Sequence, residues 1–214
     1  MKRHLRWRNG RLYQDQITAR ETAQLLQNRQ SELGWNAAGA LRASLLRREV
    51  PPTVQMWDVV PEPGEVFFFD VPVEYERYYG QDVAYNSGGG FFIGPPAFVV
   101  AGLAVNSMAN AARRRNAEAA ARSQWREWQQ VRLLVTNHRL ICLANGQWMS
   151  FHYSAMTAVY PEVREWALVC EFGVMSPPLR IRGTNAPIAA VMTVFGTRGL
   201  EAVAQHPSLQ SLGA

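Results

Sequence analysis

Apolar and polar residues alternate along residues 131–182, which is the pattern of half-buried β-strands. One apolar row consists of Trp166, Leu168, Cys170 and Phe172. The pair Asn145-Gly146 is typical of a type I′ hairpin turn, because both of its central positions need a positive φ. We therefore predict strands at 131–136, 139–143, 147–153, 165–172 and 179–182.

The last part of this region changes from a period of two to a helical period. Thr184 or Asn185 is expected to cap a helix that has Pro187 near its first turn. Its apolar stripe is expected to consist of Ile188, Val191, Met192 and Phe195. The pattern predicts one amphipathic helix that closes the sheet.

The N-terminal part has a different, helical pattern. Thr18 and Glu21 form a capping-box pair, which predicts a helix over about 18–30. Asn36 is expected to cap a second helix, which Pro51-Pro52 would end. We expect residues 1–52 to form a basic helical arm, and three strands to follow at 54–60, 65–73 and 78–85.

Residues 91–128 interrupt the strands. The run 91–105 contains no charged residue, and three arginines follow it at 113–115. A membrane-spanning helix needs about 20 apolar residues, and this run is shorter. We expect a helical insertion that packs internally or against a second copy, or that lies shallowly on a membrane.

The order of these elements resembles the pleckstrin-homology (PH) superfold, including its GRAM-like and bacterial members. The runs VTNHRLICLANGQWMSFHY (135–153) and PLRIRGTNAPIAAVMTVFG (178–196) carry the resemblance, and similar chains with an apolar segment before an arginine run are expected in GC-rich actinobacteria. The resemblance implies an α+β fold, with an antiparallel barrel or sandwich of about seven strands and a C-terminal capping helix. It places one PH-like domain at 53–214, containing the 91–128 insertion.

Charge and cysteine content narrow the cellular setting. Residues 1–50 hold ten basic and four acidic residues, whereas 51–90 hold one and seven. These two stretches are expected to pair with each other, or to form two partner-facing surfaces. Cys142 and Cys170 lie in apolar runs and no secretory signal is evident, so a cytoplasmic location is expected, with a peripheral position at the inner membrane face if the insertion binds lipid.

The candidate chemistry argues against an enzyme. Cys142 with His138, and Ser150 with His152, offer a nucleophile near a base, but burial and strand polarity explain these residues more simply. The four histidines and two cysteines lack the spacing of a zinc site. We therefore predict no catalytic residues, no metal, no cofactor and no small-molecule substrate.

The remaining hypotheses concern binding. The leading prediction is a non-catalytic adaptor that contacts a protein partner, its own copy or an anionic membrane through Phe91, Phe92, Phe98, Val99, Leu103, Arg113, Arg114, Arg115, Trp125 and Trp128. An exposed basic strand face is predicted at Arg180 and Arg182. A scaffold without a lipid role is the first alternative. Nucleic-acid binding by the arginine-rich arm is the second, and it is disfavoured because no recognition motif accompanies the arm.

Overall fold

The protein forms an α+β structure around one seven-stranded antiparallel sheet. The computed structural model describes the backbone of residues 2–80 and 123–213, with side chains from residue 18 onward. The strands are β1 (Phe67–Tyr79), β2 (Gln124–Thr136), β3 (Arg139–Ala144), β4 (Gln147–His152), β5 (Ala158–Glu162), β6 (Ala167–Glu171) and β7 (Leu179–Arg182). The helices are α1 (Lys2–Leu46), α2 (Ala186–Gln205) and α3 (Pro207–Gln210).

The sheet is a meander in two halves. Its strand order is β4-β3-β2-β1-β7-β6-β5, so β7 returns to pair with β1 and the two edges are β4 and β5. Helix α2 packs on one face of the sheet, and the largest core cluster lies between them. That cluster includes the predicted helix residues Ile188, Val191 and Met192, whereas Phe195 is 36% exposed. The expected stripe is thus wrong at Phe195, because this turn of the helix buries Val194 instead.

Helix α1 is continuous, and the prediction of two separate helices is wrong. Gly34 lies within this helix, and its missing side chain lets α1 approach the loop before α2. A Cβ at Gly34 would lie 2.0 Å from the carbonyl oxygen of Thr184. Three residues of the last turns, Ala38, Leu41 and Leu45, are buried in the main core. The division of the chain at residue 52 stays a prediction.

The segment 54–60 is irregular, so the strand predicted there is wrong. Met56 and Val59 pack on a second, smaller apolar cluster that lies on the sheet face opposite α2. Trp57 and Val60 instead point to solvent, at 88% and 87% exposed. The segment therefore covers the sheet with two side chains rather than joining it as a strand.

Strand β1 unites two predicted strands. It runs through Pro72, whose missing N–H is tolerated because β7 pairs with β1 only from Glu74 onward. Strand β2 begins at Gln124, so the prediction of helix up to residue 128 is wrong at its end. Strand β5 was not predicted. The remainder of the predicted insertion, and of the strand at 78–85, lies outside the described residues.

Candidate functional site

Two tryptophans, a tyrosine and an arginine lie on the outer face of the sheet, which is the face opposite α2. We call them the outer-face cluster: Tyr78, Trp125, Trp128 and Arg180. Tyr78 and Trp125 are cross-strand partners on β1 and β2, and their ring centroids lie 5.2 Å apart. Trp128 is 60% exposed and Tyr78 is 40% exposed. The cluster therefore offers a large aromatic surface to solvent.

Arg180 gives the cluster its polar component. Its guanidinium carbon lies 4.2 Å from the Trp125 ring centroid, which is a cation–π contact. The same side chain forms a short ion pair with Glu76, its cross-strand partner. Trp128 Nε1 also lies 3.4 Å from a carboxylate oxygen of Glu74. The arginine charge is thus compensated by a carboxylate, and a second carboxylate lies at the edge of the cluster.

Of the two arginines predicted to form a basic strand face, Arg180 belongs to the outer-face cluster and Arg182 does not. Arg182 is exposed and lies opposite Glu74 in the strand register. Arg180 is half-buried between Trp125 and Glu76. The two arginines therefore lie on one side of β7, as alternation requires, but each lies across from an acidic residue.

A buried arginine on the opposite face was not predicted. The Arg77 side chain is 1% exposed, and one of its terminal nitrogens donates to Ser176 Oγ at 2.5 Å and to the Pro177 carbonyl at 2.6 Å. Its guanidinium also lies 5.0 Å from the centroid of the Phe151 ring. Arg77 therefore ties the segment before β7 to β1. Sequence could not reveal this, because Arg77 lies in a charged, aromatic run that resembles an exposed strand end.

The turn at residues 136–139 holds the segment that leads into β1. The Asn137 side chain accepts from the Val66 N–H at 2.7 Å and donates to the Gly64 carbonyl at 2.9 Å. Arg139 donates from Nε and from a terminal nitrogen to the two oxygens of the Glu65 carboxylate, at 2.8 Å each. Asn137 and Arg139, which belong to the run that resembles PH-like domains, thus fix the segment before β1 to this turn.

Glu62 joins two histidines to this polar group. His152 Nε2 lies 2.7 Å from Glu62 Oε1, and His138 Nδ1 lies 3.5 Å from Glu62 Oε2. The hydrogen bond with His152 lowers the pKa of the Glu62 carboxyl. Within the part of the chain that the structure describes, no set of three or more His, Cys, Asp or Glu residues is arranged to hold a metal ion.

The candidate nucleophiles lie in unsuitable surroundings. Cys142 is fully buried, and burial raises the pKa of its thiol to about 12. Burial likewise raises the pKa of the Cys170 thiol. Ser150 accepts a hydrogen bond from Arg139 at 2.9 Å, while His152 contacts Glu62. Neither cysteine is therefore a thiolate at neutral pH.

Most of the predicted contact residues belong to the segment between β1 and β2. Trp125 and Trp128 are described and lie on β2, in the outer-face cluster. The others lie outside the described residues: Phe91, Phe92, Phe98, Val99, Leu103, Arg113, Arg114 and Arg115. The register pairs Tyr79 with Gln124, so the segment leaves and re-enters the sheet at the same end as the cluster.

No protein-family model matches the chain, and no curated protein matches it. Among residues 2–80 and 123–213, no helix is both long and apolar enough to cross a membrane.

Proposed function

We propose that the protein is a non-catalytic adaptor that binds a protein partner through the outer-face cluster and the segment between β1 and β2. The observation that carries the proposal is the composition of the exposed cluster. Tryptophan, tyrosine and arginine are the residue types that dominate the binding energy of protein interfaces. Burial of an exposed indole such as Trp128 by a partner gives a large favourable free energy, because it removes much apolar surface from water.

The charges around the cluster favour a protein over an anionic membrane. Glu76 neutralises Arg180, and Glu74 lies beside Trp128. A surface whose arginine is already paired with a carboxylate, and which has a second carboxylate at its edge, offers little attraction to anionic headgroups. The arginines at 113–115 remain the residues through which a lipid could bind instead, and the experiment below separates the two.

We further propose that the fold is PH-like. Support comes from the strand order, which is a meander of β1–β4 and a meander of β5–β7 joined by the β1–β7 pairing. Helix α2 follows β7 directly and covers the sheet. An adaptor on this scaffold would place its variable contacts between strands and leave the core unchanged.

The test compares the full chain with three variants. The first changes Trp125 and Trp128 to Ala; the second, a matched control, changes the exposed Trp57 to Ala. The third replaces residues 81–122 by Asn-Gly, which can join Gly80 to β2 as a tight turn. Each tagged chain is cross-linked in the cells that produce it, and the captured proteins are identified by mass spectrometry.

We expect a discrete partner that the unchanged chain and the Trp57 variant capture and the double-tryptophan variant does not. With the purified partner, the double variant should bind at least tenfold more weakly, as loss of a tryptophan hot spot predicts. Equal capture by the double variant would overturn the role of the cluster. Loss of capture by the Asn-Gly variant alone would place the contact on the segment.

Vesicle flotation provides the membrane test. We expect the protein to remain unbound with both anionic and neutral vesicles. Flotation with anionic vesicles that is abolished by changing Arg113, Arg114 and Arg115 to Gln would overturn the protein-partner proposal in favour of a peripheral membrane adaptor.

A further inference from the structure

Strand β4 is one edge of the sheet, and it pairs with β3 on one side only. The two-residue turn after Ala144 makes Ala144 and Gln147 a hydrogen-bonded pair, so bonding to β3 alternates along β4 from there. The N–H of Tyr153, just after β4, donates to the His138 carbonyl and fits this alternation. The main-chain N–H and C=O groups of three residues therefore point away from β3: Trp148, Ser150 and His152.

The described part of the chain supplies no partner for these main-chain groups. No hydrogen bond between described residues reaches the main chain of Trp148, Ser150 or His152, although the side chains of Ser150 and His152 are bonded. Ser150, in the middle of the edge, is exposed. An edge of this kind binds another extended strand, because each N–H and C=O group can then form its hydrogen bond.

Strand β4 lacks the features that commonly protect an edge strand from pairing. Its sequence contains no lysine and no proline, and its register with β3 has no bulge. The other edge strand, β5, contains Pro161 and ends at Glu162, and it lies against α2 and α3. The side on which the sheet can gain a strand is therefore β4.

We infer that β4 pairs with β4 of a second copy, antiparallel, about a two-fold axis at Ser150. This edge is separate from the outer-face cluster, so the inference goes beyond the proposed function and does not depend on it. The axis sets Ser150 opposite its own copy and Trp148 opposite His152, which forms about six backbone hydrogen bonds. An axis at Met149 would leave the His152 main chain unpaired, and an axis at Phe151 would do so for Trp148.

The side chains of the edge complement themselves about this axis. Alternate side chains of a strand share one face, so Trp148 of one copy lies beside His152 of the other. His152 Nε2 lies 2.7 Å from Glu62 Oε1, and the Glu62 side chain is 37% exposed. The Trp148 ring contacts apolar groups and Arg132, and its indole N–H has no acceptor among the described residues. This donor of each copy therefore meets the anionic Glu62–His152 pair of the other.

The experiment measures the mass of the full chain by light scattering and sedimentation at several concentrations. We expect a dimer that Ser150→Pro weakens at least tenfold, because proline removes the outward N–H at the axis and leaves the β3 side intact. Ser150→Ala is the matched control. It removes the hydroxyl that accepts from Arg139 but keeps the N–H, so it should remain dimeric. A monomeric unchanged chain at all concentrations, or equal weakening by both variants, would overturn the inference.

Cross-linking tests the register. In the inferred pair the two Ser150 Cα atoms lie about 5.5 Å apart, a distance that a disulfide spans. The two Gln147 positions lie roughly 20 Å apart. Ser150→Cys should therefore form a covalent dimer on mild oxidation, and Gln147→Cys, at another exposed position, should not, since the native Cys142 and Cys170 are buried. Equal cross-linking of the two variants would overturn this register.

Circular dichroism tests the fold, and capture tests the occupant. The Ser150→Pro chain should keep the near-ultraviolet signal of its core. Loss of that signal would show unfolding, and then the comparison of Ser150→Cys with Gln147→Cys alone decides. A monomeric chain from which Ser150→Pro removes a captured protein would show that the edge takes a strand of that protein, which would overturn pairing with a second copy.

Discussion

Arg139 and Glu65 form a two-point ion pair in the interior, with both carboxylate oxygens at 2.8 Å from guanidinium nitrogens. The Glu65 side chain has no exposed surface and that of Arg139 is 11% exposed. Burial by itself would raise the pKa of the Glu65 carboxyl. The hydrogen bonds from Arg139, from the Glu62 N–H and from Thr136 outweigh burial and lower this pKa to about 2. The pair holds the segment before β1 against the 136–139 turn.

This relationship predicts an acid-dependent loss of stability. A carboxyl with a usual pKa of 4.5 and a folded pKa of about 2 stabilises the fold fully above pH 4.5 and loses that contribution as the pH falls toward 2. Glu65→Gln should cost about 3 kcal/mol at pH 7, because it leaves a buried arginine without its main partner. It should also flatten the change in unfolding free energy between pH 4.5 and 2, as urea titrations at several pH values would measure.

An exposed ion pair on the same segment is the control. Asp58 lies 2.5 Å from Arg132, but 53% of the Asp58 side chain is exposed. Asp58→Asn should cost less than about 1 kcal/mol and should respond to salt. Equal costs for the two substitutions would contradict the structural importance of the Glu65 pair.

The docking of α1 predicts an unusual response to an alanine. Glycine to alanine in an exposed helix gains about 1 kcal/mol. Gly34→Ala should instead lose about 1–3 kcal/mol, because the new Cβ would lie 2.0 Å from the Thr184 carbonyl oxygen. Asn36→Ala, at an exposed neighbouring position, should be slightly stabilising. Thermal unfolding of the two variants shows whether each substitution raises or lowers the stability. A more stable Gly34→Ala chain would show that α1 does not approach the loop this closely.

At the hairpin turn between β3 and β4, replacing the glycine is expected to lower the stability through the backbone conformation alone. Gly146 has φ +74°, and a Cβ there would meet nothing within 4 Å. Gly146→Ala should therefore destabilise by about 1–2 kcal/mol, the cost of a left-handed conformation for an L-residue. Gln147→Ala, at an exposed neighbour, is the reference. An unchanged unfolding midpoint for Gly146→Ala would mean that the turn relaxes to another type.

The buried thiols predict chemical inertness. Because the thiol pKa of Cys142 is raised to about 12, iodoacetamide at pH 8 should leave the folded protein unmodified. In denaturant both cysteines should react, as intact-mass measurement would show. Rapid modification of Cys142 in the folded state would revive the hypothesis of a cysteine nucleophile.

The sheet was predictable where local pattern and tertiary packing agree. The Asn145-Gly146 turn is confirmed by its positive φ values, and the strands on either side follow from alternation. Strand β5 escaped prediction because its sequence, AVYPE, is short and includes a proline. The segment 54–60 has the composition of a strand, but two of its apolar side chains, Met56 and Val59, cover the sheet from outside. Apolar content does not distinguish these two uses.

The sequence points to three of the four residues of the candidate site and not to their geometry. Trp125 and Trp128 are predicted as contact residues from their type and from their place near an unusual segment, and Arg180 is predicted as part of an exposed basic strand face; Tyr78 is not predicted. Their position on one face of the sheet depends on the pairing of Tyr78 with Trp125 and of Glu76 with Arg180. That register arises from strands far apart in sequence, and one residue of slip would move every side chain to the other face.

The pairing of Tyr79 with Gln124 has a consequence for how such a protein can diversify. Two adjacent strand ends fix where the intervening chain starts and stops, and the pairing of β1 with β2 does not depend on the length of that chain. Lengthening a connection costs only about 0.6 kcal/mol for each doubling. Mutations, deletions and insertions between these ends can therefore accumulate at little cost to folding. The sequence of this stretch can therefore change while the sequence of the core is retained.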